Sequence, residues 1–276
     1  MAIRSVTGVR LVAVGTEFRS AIVVAAIERL RNAGTRSGMF FDFDGVLSRI
    51  QDDPESVRPT EGAQSELEAL RGLVGRIAVV SSRPADFLKT RFEDIELYGL
   101  YGLEHAEPGG SIVVEPAARE WITVVRTVRS EADEALPGVY VEDKTLSVAL
   151  HYRRAPDARD AVEEWAREAA ERTGLRLQPG RMAVELKPPL DIDKGSVVTR
   201  LIADLNAAWY FGDDLGDLPA FAALHKKTEG GDFDGIAVGV GNDTVIEAVR
   251  AESDIFLESP ESVVELLRFV RQELTV

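Results

Sequence analysis

Residues 39–48 read MFFDFDGVLS. Three apolar residues run into two aspartates, Asp42 and Asp44, which are separated by Phe43 and followed by Gly45. An apolar run without alternation marks a strand buried on both faces, as in parallel sheets. Two carboxylates that close repel each other, so a cation or a reaction that uses two acids has to be nearby. Taken alone, Asp-x-Asp-Gly is more often a plain turn at a strand end. A second run alters that balance. YFGDDLGDLPAF, residues 210–221, places Asp213, Asp214 and Asp217 behind another short apolar segment. Two such strand ends in one parallel sheet bring these five acids into one crevice, an arrangement that calls for a metal.

Composition narrows the metal and the partners. The 276 residues include three histidines and no cysteine, so the ligands are oxygen atoms and the expected ion is Mg²⁺. The absence of cysteine also removes disulfides and thiol nucleophiles. A formal net charge of −15 argues against nucleic acid and anionic membrane as partners. No segment reaches the ~18 apolar residues of a membrane span, and the N-terminal residues lack a signal-peptide pattern. The expectation is a soluble, cytoplasmic, monomeric protein acting on a small molecule.

The rest of the chain reads as one domain interrupted by another. Apolar spacing predicts a helix over Phe18–Asn32 stopped by Gly34, then the strand GMFF, a helix over Glu61–Leu73 and the buried strand of GRIAVVSS. After Pro189 the same style returns, with a helix over Lys194–Leu205, the strand WYFGDD, the strand GIAVGV and a C-terminal helix starting at Ser259 and Pro260. These features predict an α/β fold with a doubly wound, mostly parallel sheet, whose ligands sit at the carboxyl ends of the strands. Between them, a helix through Trp121, Val125 and Val128, two strands, a helix over Asp157–Arg172 and two more strands predict an inserted α+β domain of αββαββ type. The expected boundaries are 1–108 for the first core segment (1–37 an extension with a helix), 109–188 for the insert and 189–276 for the second core segment.

Two further strand ends add polar groups: Ser81, Ser82 and Arg83 in VVSSR, and Lys194 in DIDKGS. A serine there is usually a cap and a lysine usually solvated. The order Asp-x-Asp, Ser, Lys, Gly-Asp-x-x-x-Asp, however, resembles the haloacid dehalogenase superfamily of phosphotransferases. DFDGVLSRIQDDP, YGLYGLEHAE, VEDKTLSVALHYR, RMAVELKPPLDIDKGSVV and YFGDDLGDLPAF narrow the resemblance to trehalose-6-phosphate phosphatases, from about Phe40 onward. It implies that Asp42 attacks phosphorus to form an aspartyl-phosphate, and that Asp44 serves as acid and then base while lending its main-chain carbonyl to the metal. It also implies that Ser81 and Lys194 hold the transferring group, and that Asp213 ligates Mg²⁺ beside Asp42. The resemblance further implies that Asp214 and Asp217 act through metal-bound water or by orienting Lys194.

The chain departs from the family pattern at Val46 (for Thr), Ser82 (for Gly), Tyr101 (for His) and the Gly-Asp-Leu-Pro of 216–219 (for an acid-richer signature).

Strand alternation within the insert gives an independent reading. Leu146, Val148, Leu150 and Tyr152 share one face, leaving His151 and Arg153 on the other; Met182, Val184 and Leu186 likewise oppose Arg181, Glu185 and Lys187. The plain reading of the polar face is solvation, while the functional one is sugar recognition, which the resemblance favours as a lid. Glu104, Lys144 and Arg83 join His151, Arg153, Arg181 and Glu185 as expected substrate contacts. His105 and His225 read as surface residues, and Trp121 and Trp165 as core of the insert. The alternatives are a phosphatase of another sugar phosphate, of sucrose or mannosylglycerate type, or a non-catalytic sugar-phosphate-binding module.

Overall fold

The computed structural model describes residues 11–13, 18, 20–51, 53–92, 94–180, 182–241 and 247–275. They form two compact units. The first comprises the chain up to Gly102 with Ala106–Ser111 and Ile192–Val276; the second comprises Leu103–His105 and Ile112–Asp191.

The first unit opens with β1 (Leu11–Ala13), α1 (Ala21–Ala33), β2 (Ser37–Phe41), α2 (Ala63–Leu70), β3 (Arg76–Val80), α3 (Ala85–Lys89) and β4 (Glu96–Gly99). Helix α1 starts where Ser20 Oγ accepts from Val23 N, and it ends at Gly34, whose φ of 54° suits a residue without Cβ. Every residue of β2 is buried, as suits its apolar run Met39–Phe41, and the buried Ser37 hydroxyl donates to Gly34 O. Helices α1 and α2 are shorter at their N-termini than apolar spacing predicts, because propensity does not fix which residue turns into the first helical bond.

The second unit contains the first two residues of β5 (Glu104–Ala106), β6 (Val113–Val114), α4 (Pro116–Arg119), α5 (Ile122–Ala135), β7 (Tyr140–Asp143), β8 (Val148–His151), α6 (Arg159–Thr173), β9 (Arg176–Gly180) and β10 (Ala183–Lys187). Strand β5 pairs antiparallel with β6. The other four strands form an antiparallel sheet in the order β7-β8-β10-β9. Val148, Leu150, Val184 and Leu186 are buried with Val125, Val128, Val162 and Ala166 of the two long helices. Trp121 and Trp165 pack against the same cluster. Alternation along β8 and β10 therefore leaves Ala149, His151, Ala183, Glu185 and Lys187 on the other face. Arg153 lies in the turn beyond β8, not on that strand. Arg181 lies outside the described residues.

The chain re-enters the first unit through α7 (Lys194–Leu201), β11 (Ala207–Gly212), α8 (Leu218–Glu229), β12 (Asp234–Val240), α9 (Glu247–Glu252), β13 (Ile255–Leu257) and α10 (Pro260–Thr275). Seven strands of this unit are parallel neighbours in the order β1-β13-β12-β11-β2-β3-β4. From β2 the chain winds toward β4 on one side, and from β11 toward β13 on the other. The sheet's switch point therefore falls between β2 and β11. Phe40 and Tyr210, paired in register, pack with Val197, Val198 and Phe221 of α7 and α8. One residue on, Phe41 and Phe211 stack with ring centroids 4.6 Å apart. Among the described residues no helix is long and apolar enough to cross a membrane. Helix α7 stops at Leu201, short of the predicted Leu205, and α8, which sequence spacing did not single out, follows the acid loop directly.

Candidate active site

The switch point fixes the first acid. Asp42 follows β2, and its backbone N–H donates to Phe211 O at 2.9 Å, so it sits beside the end of β11, where Asp213 begins the next loop. Lys194 is the first residue of α7, behind an Asp193 cap that accepts from Ser196 N while Ser196 Oγ accepts from Asp193 N. That reciprocal cap sets the helix start, and with it the origin of the lysine side chain.

Lys194 Nζ lies 2.8 Å from Asp42 Oδ2 and 2.7 Å from Asp217 Oδ1, with all three side chains almost wholly buried. The other oxygen of Asp42 accepts from Phe43 N at 2.7 Å. Asp217 is saturated. Its Oδ1 also accepts from Tyr210 OH at 2.7 Å, and its Oδ2 accepts from the backbone N–H groups of Asp213 and Asp214 at 3.0 and 3.1 Å. Glycines make the space. A Cβ on Gly45, at φ 81°, would fall 2.1 Å from Asp213 Oδ2, and one on Gly212 would fall 2.4 Å from Asp217 Cβ.

The electrostatics follow from burial. Desolvation lifts Asp42 well above the usual carboxylate range; Lys194 opposes the rise, and Asp217 and Asp214 add to it. Asp213 is raised by burial and then by Asp214 and Asp42. Burial works against the Lys194 ammonium, but Asp217 and Asp42 outweigh it and hold the lysine pKa well above its ordinary value.

Oxygens of Asp42, Asp213 and Asp217 lie within 4.8 Å of one another. Three carboxylates facing one ammonium leave a formal charge of −2 (3 minus 1), and the donors are all oxygen. This group can hold a metal, and a hard cation suits it. Within it, the Asp217 oxygens already accept four hydrogen bonds.

Of the five acids expected in one crevice, three bring oxygens within 4.8 Å of one another, and the other two have further partners. Asp44 turns to Arg83, with Arg83 Nε at 2.7 Å from Oδ2 and Nη2 at 2.8 Å from Oδ1. Asp214 caps its own loop, accepting from Gly216 N at 2.7 Å. Although the residue's surface is exposed, desolvation of its carboxyl and then the Asp217 charge push Asp214 up to about 6. Ser81 is buried at the end of β3, where its Oγ accepts from Arg83 N at 3.2 Å.

In the second unit, Glu185 receives Lys144 Nζ at 3.1 Å and the Ser147 hydroxyl. His151 Nε2 lies 2.8 Å from Glu142 Oε2. Glu104 is buried in β5. Of the two histidines read as surface residues, His105 is half-buried, whereas His225 is partly exposed and held 3.2 Å from Asp254 Oδ2. Sequence reasoning missed Tyr210, whose hydroxyl closes the Asp217 network. Its signal is a phenol inside the otherwise apolar run AAWYFG.

The parallel sheet, with acids at its switch point, is similar to that of haloacid dehalogenase-like proteins. A haloacid dehalogenase-like hydrolase from Bacteroides thetaiotaomicron superposes with a TM-score of 0.57 at 16% identity, covering 85% of this chain and 99% of that one. The trehalose-phosphatase family model matches residues 40–260, and the chain belongs to that family. Trehalose-phosphate phosphatase of Mycobacterium marinum is 36% identical over 256 residues, 87% of this chain. The chain spans 63% of that relative's own length. The C-terminal domain of Candida albicans trehalose-6-phosphate phosphatase superposes with a TM-score of 0.73 at 23% identity, covering 90% of this chain and 96% of that one.

Proposed function

We propose that this chain is a Mg²⁺-dependent phosphatase that converts trehalose 6-phosphate to trehalose and inorganic phosphate, the last step of trehalose biosynthesis. The observation that carries the reading is Lys194 bridging Asp42 and Asp217 at the sheet's switch point, with Asp213 alongside. A buried carboxylate kept beside a buried ammonium is poised to meet a phosphoryl group, whose negative charge the ammonium also favours.

In the first step an Asp42 oxygen bonds to phosphorus, and the bond from phosphorus to the sugar oxygen breaks. The sugar oxygen keeps the electron pair and takes a proton from Asp44. In the second step a water oxygen attacks the same phosphorus, its proton passes to Asp44, and the Asp42 carboxylate leaves with its electron pair. Ser81 and Lys194 hold phosphoryl oxygens through both steps. Asp42, Asp213 and the main-chain carbonyl of Asp44 would hold Mg²⁺, which neutralises charge between the carboxylates and the phosphoryl oxygens when bound. Asp217 orients Lys194, and Asp214 shapes the loop.

Sugar recognition falls to Glu104 and to the polar face of the second unit, which carries Lys144, His151 and Glu185, with Arg153 in the turn beyond β8 and with Arg181. We infer a cytoplasmic, monomeric enzyme that needs neither nucleic acid nor membrane, a reading supported by the charge of −15.

The test is phosphate release from a panel of sugar phosphates at several Mg²⁺ concentrations, with Asp42→Asn beside the wild type. Trehalose 6-phosphate should be the best substrate, and the variant should bind it without turnover. Faster release from another sugar phosphate would overturn the substrate; no release from any ester would overturn the activity.

A further inference from the structure

The carboxylate given the proton-transfer role is not aimed by its own backbone alone. Both Asp44 oxygens are engaged by one guanidinium, through Nε at 2.7 Å and Nη2 at 2.8 Å. This is the two-pronged geometry that fixes a carboxylate in both direction and plane. The pair is largely enclosed, with side-chain exposures of 12% for Arg83 and 27% for Asp44. Water therefore competes for it less than at a surface ion pair.

Arg83 is itself held from several sides. Its N–H donates to Ser81 Oγ at 3.2 Å, and its carbonyl accepts from Leu100 N at 2.9 Å. Its guanidinium carbon stands 4.6 Å from the Phe87 ring centre. Arg91 lies 3.5 Å over the same ring while donating to Phe87 O and Val57 O, which pins the ring in place. Phe87 also meets Phe43 edge-on at 5.8 Å, and Phe43 is the fully buried residue between Asp42 and Asp44. One aromatic ring thus supports the backbone between the two acids and the arginine that aims the second.

Resting on the phosphatase reading above, the geometry points to Arg83 as the positioning residue of the proton-transfer carboxylate, acting through Asp44 and not as an anchor for the substrate. Lysine cannot replace it, since a single ammonium lacks the fork.

The experiment is a double-mutant cycle of Arg83→Gln and Asp44→Asn, with Arg83→Lys and Phe87→Leu beside it. Steady-state kinetics are read on trehalose 6-phosphate and on 4-nitrophenyl phosphate, whose leaving group departs without a proton. In Arg83→Gln, kcat on the sugar phosphate should fall by about 100-fold, the usual worth of a placed acid–base group, with KM within about threefold. On 4-nitrophenyl phosphate, a burst of nitrophenolate should precede a slow phase, because only the water step still needs Asp44. Arg83→Lys should resemble Arg83→Gln, and Phe87→Leu should show a smaller loss of the same kind. The double variant should be no slower than Asp44→Asn alone, within about twofold.

Losses that multiply in the double variant, or a raised KM at unchanged kcat, would overturn the inference. Thermal melts identify any variant that fails to fold, and the cycle then rests on Arg83→Lys or Phe87→Leu. If the wild type hydrolyses 4-nitrophenyl phosphate but not trehalose 6-phosphate, the substrate reading falls, and the cycle still decides the role of Arg83.

Discussion

Lys194 Nζ lies 2.7 Å from Asp217 Oδ1, and neither side chain is reached by solvent beyond 2%. Asp217 accepts from two side chains and two backbone N–H groups, so it serves as the hub that orients the lysine. Asp217→Asn keeps the shape but brings an NH₂ group against donors and removes the charge that keeps the ammonium ionised. Turnover should fall by at least about 100-fold, and stability by about 3–5 kcal/mol, the cost of breaking a buried pair. Tyr210→Phe removes one of the four bonds and should cost about 1 kcal/mol. Phosphate-release kinetics and denaturant unfolding check both.

Gly45 and Gly231 separate backbone strain from site chemistry. Both have positive φ, 81° and 93°, but a Cβ on Gly45 meets the Asp213 carboxylate whereas one on Gly231 meets nothing within 4 Å. Gly231→Ala should destabilise the fold by about 1–2 kcal/mol through backbone strain alone, and Gly45→Ala by more, because its Cβ also meets Asp213. Only Gly45→Ala should also raise the Mg²⁺ concentration needed for half activation, by more than about tenfold. A Mg²⁺ titration of both variants reads the difference.

Chelation should abolish phosphate release and restoring Mg²⁺ should recover it. Because a cation relieves repulsion among Asp42, Asp213 and Asp217, added Mg²⁺ should also raise the unfolding midpoint, by an amount that grows with its free concentration. Asp213→Asn should lose that thermal response. An equal midpoint with and without Mg²⁺ would count against a metal at these residues.

His225 gives a pH signature away from the site. A hydrogen bond to Asp254 raises its pKa and outweighs the burial that lowers it. A raised folded-state value means the pair contributes fully below the unfolded value of about 6.5 and loses its contribution as pH rises through the folded value. The stability gap between wild type and His225→Gln should therefore be wider at about pH 6 than at about pH 8.5, and stay under about 1 kcal/mol for so exposed a pair. Unfolding curves at the two pH values test it.

The strands that build the switch point were legible in MFF, RIAVV and AAWYFG because burial on both faces leaves an unbroken apolar run. The four-strand sheet was legible for the opposite reason, alternation, which separates Val148 and Leu150 from His151. Direction within a loop was not. Nothing in DFDG tells that Asp42 turns to Lys194 while Asp44 turns to Arg83, since the first partner lies 152 residues away (194 minus 42) and the second 39. Asp213 and Asp214 look alike in sequence, yet one is buried and the other exposed, because only the first lies over Gly45. Helix α8 escaped notice because its start is hidden in the acid loop and only Pro219 marks it.

The pairing of β2 with β11 also bears on how the molecule is born. Ser37 lies opposite Ala207, a separation of 170 residues (207 minus 37), so the strand that ends at Asp42 leaves the ribosome long before its neighbour is made. Until then β2 offers an apolar edge open to stray partners, and closing so long a loop is slow unless the intervening segment folds first. A nascent chain released before Ala207 would carry every letter of MFFDFDG and yet have no place to seat a cation.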